Sequence, residues 1–219
     1  MQLTDEFIQN EAYRSDVYRL LSACYCKPGN EFAEEGLAKN LAAALEPVLR
    51  EAVPFAKNMD EALASHSAQD ILIDYSALFI GPFKLLAPPY GSTYLESERT
   101  VLGSSTIDAI KRYRSAGVEM DPGQKDIPDH IATELEFMYY LITKEIEAYR
   151  ASNREEASKH LEAQQDFLKR HLGAWGPKFA ADVKKGAKNP FYKNLADCTL
   201  LFIKSDMDYL KNVVGGKGN

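Results

Sequence analysis

Asp129, His130 and Glu134 are the residues whose types and spacing most suggest chemistry. A histidine beside one carboxylate, with another one helical turn on, could move protons or grip a cation. They lie in DIPDHIATELEFMYYL, residues 126–141. Adjacent residues on a helix diverge by about 100°, so Asp129 and His130 are poorly placed to act on each other. A small helical hydrolase using His130 and Glu134 is one reading. The plainer one makes Asp129 a helix-end acceptor and His130 a half-buried bridge between helix and loop. The chain carries no nucleophile elbow, phosphate loop, HExxH motif or dinucleotide fingerprint.

The element that must position these residues reads as a helix beginning near Ile127. Pro128 suits its first turn, where the missing N–H costs nothing, and Asp126 could cap it. Ile131, Leu135, Met138 and Ile142 then fall on one face, which neighbouring helices should bury. Asp129 and His130 are expected at the exposed, electropositive end.

Helical periodicity continues through the rest of the chain, and the class is all-α. Phe7, Val17, Leu20, Leu21 and Cys24 mark a first helix, stopped by Pro28 and Gly29; Phe32, Leu37, Leu41, Leu45 and Leu49 mark one or two more, interrupted at Pro47 and closed at Pro54. Ile71, Leu72, Tyr75, Leu78 and Phe79 give another, ending at Gly81 and Pro82. Residues 81–96, GPFKLLAPPYGSTYLE, form a loop rich in apolar side chains, which must pack down on the helices or line a groove. Ile107, Ile110 and Tyr113 belong to a helix with Gly117 as a left-handed cap. After a polar loop and the helix just described, residues 155–172 form an amphipathic helix; Gly173, Trp175 and Pro177 make a bend before a shorter one, and Asn189 and Pro190 start the last. A single domain of about ten helices over residues 1–212 is expected, with 213–219 a disordered tail.

Composition narrows the partners. The chain is 45% hydrophobic and 26% charged, with a net charge of −6. No lysine and arginine cluster favours nucleic acid, and residues 119–147 hold eight carboxylates against two lysines, a balance that would attract a basic peptide. No apolar run approaches the roughly 18 residues of a membrane span, and the acidic N-terminus resembles no signal, which points to the cytoplasm. Cys24, Cys26 and Cys198, with four scattered histidines, suit neither a disulfide framework nor a zinc site, so neither metal nor cofactor is expected.

Five ordered segments together resemble the TorD/DmsD family of redox-enzyme maturation chaperones. Leu78–Phe79 with Gly81–Pro82 matches its LFxGP element; APPYGSTY (87–94) its APPxxSxY loop; PDHIATELEFM (128–138) its PDHxxxELxFM signature; FLKRHLGAWGPKF (167–179) its FxxxHLxxWxxxF element; and NPFY (189–192) the start of its last helix. Phe83 stands where glycine is common, and Tyr90 where some members have tryptophan. The resemblance implies an all-helical, non-catalytic cytoplasmic chaperone that binds the twin-arginine signal peptide of a molybdopterin oxidoreductase subunit and holds the apoenzyme for cofactor insertion. It implies a peptide-binding region with Leu78, Phe79, Pro89, Tyr90, Ser92 and Tyr94 on one wall and Pro128, Asp129 and His130 on the other. Glu134, Glu96 or Glu98 could pair with guanidinium groups while the aromatic loop receives the apolar stretch. A chaperone that grips an internal or non-exported client region, as nitrate-reductase chaperones can, is the alternative. Family members can exchange helices between subunits; residues 117–126 would be a hinge for such a dimer, though a long polar loop suits a monomer equally.

Overall fold

The structure, a computed structural model, describes residues 5–29, 32, 35–81, 84–96, 102–119 and 127–215. Among these are ten α-helices: α1 (Asp5–Cys24), α2 (Leu37–Val48), α3 (Val53–Ser65), α4 (Ala68–Tyr75), α5 (Gly91–Leu95), α6 (Ser104–Ser115), α7 (Ile131–Arg150), α8 (Arg154–Arg170), α9 (Leu172–Gly186) and α10 (Pro190–Gly215). No strand is present among the described residues, so the expected all-α class holds. No described helix is long and apolar enough to cross a membrane. α1 packs against α7 and α2, α7 against α8, and α10 against α3, α9 and α8. The buried apolar side chains join into one core, whose largest members include Trp175, Tyr18, Tyr25, Tyr192, Phe167 and Phe179.

Several boundaries follow the sequence expectation. α4 continues into a π-helical turn, Ser76–Ile80, which stops at Gly81, where φ is 57°. The Gly81 amide donates to Ser76 O at 2.6 Å. A left-handed backbone favours glycine, and a Cβ here would also meet Leu85 at 2.9 Å. Gly117 likewise takes φ 79° after α6, letting the Val118 amide reach back to Tyr113 O. Asn189 accepts from the Phe191 amide at 2.8 Å, capping α10 with Pro190 first in the helix.

Others differ. Pro54 opens α3 instead of closing the preceding section, because at the start of a helix its missing N–H has no partner to lose. α3 buries Val53, Ala56, Met59 and Ala62. Gly173, Trp175 and Pro177 lie within α9; the bend falls earlier, at His171. α7 begins at Ile131, four residues later than expected, and its cap is His130, whose Nδ1 accepts from the Ala132 amide at 3.1 Å. The proposed cap Asp126 and most of the 117–126 hinge lie outside the described residues, as do Phe83 and Glu98. α10 runs to Gly215, into the stretch expected as a tail; residues 216–219 are outside the description.

One charged cluster is sealed inside the bundle. Arg14 of α1 bonds to Glu11 at 2.7 Å, to Asp206 of α10 at 3.0 Å and to Gln164 of α8, and lies 3.5 Å from Glu145 of α7. Tyr18 donates to Asp206 at 2.6 Å, Gln164 to Glu145 at 2.7 Å, and Tyr209 to Glu11. Four helices therefore meet at a single guanidinium.

Candidate functional site

Residues 84–96 and 127–130 are stitched together by their backbones. Tyr90 and His130 form an isolated antiparallel bridge. Beside it, the Gly91 amide donates to Asp129 O at 2.8 Å and the Ile131 amide to Pro89 O at 2.9 Å. α7 starts where the chain leaves this bridge, since His130 is still extended (φ −67°, ψ 142°). The two walls expected from sequence are thus brought side by side.

Burial corrects the orientation expected for Asp129 and His130. Asp129 is fully buried and His130 only 8% exposed. Asp129 Oδ2 accepts from the Ser92 amide at 2.6 Å and from Thr106 Oγ1 at 3.0 Å, tying α5, α6 and the 127–130 segment together. A carboxylate at this position serves as an anchor for backbone N–H groups. Pro128 is partly exposed, and its carbonyl accepts from Tyr113 OH at 2.7 Å.

Glu134 is also buried, one turn into α7. Trp175 Nε1 donates to its Oε2 at 2.8 Å, and His171 Nδ1 lies 3.5 Å from its Oε1, an ion-pair distance without a well-formed hydrogen bond. Burial pushes the Glu134 carboxyl above its usual range, against the pull of His171 and Trp175. Burial disfavours charge on His171, yet Glu134 and Asp108 outweigh it and hold the imidazole above its ordinary value. Glu134 therefore serves α9, and His130 Nδ1 serves the start of α7, which leaves the two without the shared geometry of an acid–base pair.

The remaining expected site residues divide by depth. Leu78 and Phe79 are core: Phe79 packs edge-on with Tyr75, 5.2 Å between ring centres, and also meets Tyr25, Phe179 and Tyr192. Pro89 and Ser92 are buried too. Tyr90 and Tyr94 keep part of their surface in solvent; Tyr90 meets the His130 ring at 5.6 Å, and Tyr94 stacks on Trp175 at 5.7 Å. Glu96 accepts from the Ser105 amide at 2.8 Å and from Ser104 and Ser105 hydroxyls, tethering the start of α6. Leu86 and Leu102 stand exposed nearby in sequence, at 47% and 64%.

His171, Trp175, Thr106 and Asp108 are organisers that the sequence reading did not place in the site. A signal existed, since a histidine and the only tryptophan fall within one apolar segment. Buried imidazole and indole N–H groups need partners.

Residues 34–181, more than half of the chain, match the family described as nitrate reductase delta subunit. The chaperone protein TorD of Vibrio parahaemolyticus is 31% identical over 145 residues, covering 64% of this chain and 64% of that one. The Tat proofreading chaperone DmsD of Salmonella typhi is 29% identical over 137 residues, covering 63% of this chain and 60% of that one. Both alignments span less than two thirds of the relative's length. A crystal structure from Archaeoglobus fulgidus, described as a redox enzyme maturation protein, shares the fold, with a TM-score of 0.56 at 21% identity over 87% of this chain and 93% of that one. With its sequence motifs converging on one junction, the chain belongs to the TorD/DmsD family of redox-enzyme maturation proteins, matched under the description nitrate reductase delta subunit.

Proposed function

We propose that this protein is a cytoplasmic, non-catalytic chaperone that binds the twin-arginine signal peptide of a molybdopterin oxidoreductase subunit and holds the apoenzyme for cofactor insertion. The observation that carries this reading is the pairing of Tyr90 with His130, which joins an aromatic loop and the 127–130 segment into one continuous edge. The relatives, a chaperone and a Tat proofreading chaperone, support the same role. Tyr90, Tyr94 and Pro128 offer the peptide partly exposed surface; Leu78, Phe79, Pro89, Ser92, Asp129 and Glu134 act beneath it by fixing that surface, and His130 does both. Aromatic faces take the apolar stretch of the signal, and rim carboxylates such as Glu96 and Asp182, which accepts from Tyr94 OH at 3.3 Å, steer its arginines.

Substitution of Tyr90 or Pro128 by alanine should weaken signal-peptide binding about tenfold or more while leaving the thermal melt in place. Normal binding by both variants would remove the site. The family's description, nitrate reductase delta subunit, favours one second reading: recognition of an internal client region instead of an export signal. In that case the folded client domain, and not its leader peptide, would compete for Tyr90.

A further inference from the structure

Gly91, at the start of α5, lies directly over the buried Glu134–Trp175 pair. A methyl group there would stand 3.0 Å from Trp175 Nε1 and 3.3 Å from Glu134 Oε1. Behind that carboxylate, His171 Nδ1 is 3.5 Å away, and His171 Nε2 lies 2.9 Å from Asp108 Oδ2. Asp108 in turn accepts from Arg112 at 2.7 Å, and Arg112 also holds Asp166. A line of charged groups therefore runs from the surface of α6 to the underside of the loop. Its outer end is wet, with the Asp108 side chain 44% exposed, and its inner end is dry, with His171 at 2%.

The junction is also short of hydrogen bonds. Ser92 Oγ, Asp129 Oδ1, Glu134 Oε1 and His171 Nδ1 are all buried without a hydrogen-bond partner among the described residues. Such groups are few in a well-packed protein, and each unpaired one is costly, so a concentration of them calls for an explanation.

We propose that His171 is a positioning residue for the loop of residues 84–96, and that its contact with Glu134 is a proton-operated latch setting how firmly the loop presents Tyr90 and Tyr94 to a client peptide. This regulation rests on the chaperone reading of the site. With both ring nitrogens protonated, Nε2 donates to Asp108 and Nδ1 faces the Glu134 carboxylate as a donor. When the ring loses a proton, the Asp108 bond keeps the remaining one on Nε2, and a lone pair on Nδ1 then faces Glu134 Oε1. Attraction becomes repulsion directly under Gly91. The charged groups around the ring are Glu134 from α7 and Asp108 from α6, with Arg112 behind Asp108 and Asp129 acting on Glu134. α8 contributes the Phe167 ring, stacked on the imidazole at 4.6 Å.

Trp175, the only tryptophan, reports on the latch without any ligand, because its indole N–H donates to Glu134. Its fluorescence in the full chain should show one transition on pH titration, displaced to the alkaline side of an ordinary histidine. His171→Gln should abolish the transition. Asp108→Asn, altered at its half-exposed end, should move it to lower pH, and serves if the first variant does not fold. Affinity for a twin-arginine signal peptide should fall about threefold or more as pH rises through the same transition, and should be flat across it in His171→Gln. A transition that is absent, or that survives in His171→Gln, overturns the latch. A His171-dependent transition with equal peptide affinity on both sides overturns its regulatory role. Failure of the peptide to bind at any pH, with the fluorescence transition intact, instead overturns the chaperone reading of the site and the regulation that rests on it.

Discussion

Asp129 Oδ2 accepts the Ser92 amide and the Thr106 hydroxyl together, so this carboxylate organises two segments before any client arrives. Replacing it with alanine leaves two donors dry and unpaired, a loss expected at about 1–3 kcal/mol for each unsatisfied group. Urea unfolding should show a lower midpoint at unchanged slope; asparagine, which keeps an acceptor, should lose less. Gly91→Ala tests the close approach from the other side. The added methyl group presses on Trp175 and Glu134, and overpacking of this kind costs about 1–3 kcal/mol. Thermal melting reads it, with a more tightly enclosed glycine elsewhere, Gly173→Ala, facing Met207 and Leu168 O, losing more. The sequence was sufficient to single out residues 128–130 and 134 by type. It was not sufficient to orient them, because the pattern that suggests a helix from Ile127 is silent about the bridge to Tyr90, which keeps His130 extended and turns Asp129 inward.

Elements were legible where one physical signal dominated. Gly81, Gly117 and the Asn189–Pro190 pair end or begin helices where their backbone preferences say they should. α3 was hidden because its buried face is half alanine, giving little apolar contrast, and because Pro54 signals a start and a stop equally well. α9 was shortened because Pro177 lies inside it; packing of the buried Trp175 and Phe179 outweighs the hydrogen bond that proline removes. The joining of α1 to α7, α8 and α10 through Arg14 was not legible at all, since its partners are up to 192 residues away. Arg14→Met should therefore be costly, about 3–5 kcal/mol, because it strands buried carboxylates on other helices. The same α1 should then show accelerated hydrogen exchange relative to α9, which does not touch the guanidinium.

At the scale of the molecule, the count of eight carboxylates against two lysines overstates how acidic the 119–147 region looks from outside. Asp129, Glu134 and Glu145 are buried, and Glu119, Glu136 and Glu147 are the carboxylates described there as exposed. Burial, reinforced by Glu11, pushes the Glu145 carboxyl up to about 8 against the pull of Arg14. Between its ordinary value of 4.5 and about 8, the folded chain holds a proton that the unfolded chain releases. This contribution to stability is complete below the lower value and is lost as pH rises through the upper one, at no more than about 1.4 kcal/mol per pH unit. Chemical denaturation across that window should show stability falling with pH, and Glu145→Gln should flatten the fall. Partner recognition is the claim on which the functional account depends. Calorimetric titration of the full chain with twin-arginine signal peptides, each repeated with both arginines changed to alanine, tests it most directly. Saturable binding that weakens at least about tenfold without the arginines is the expected result; equal binding of both peptides, or none of either, would contradict it.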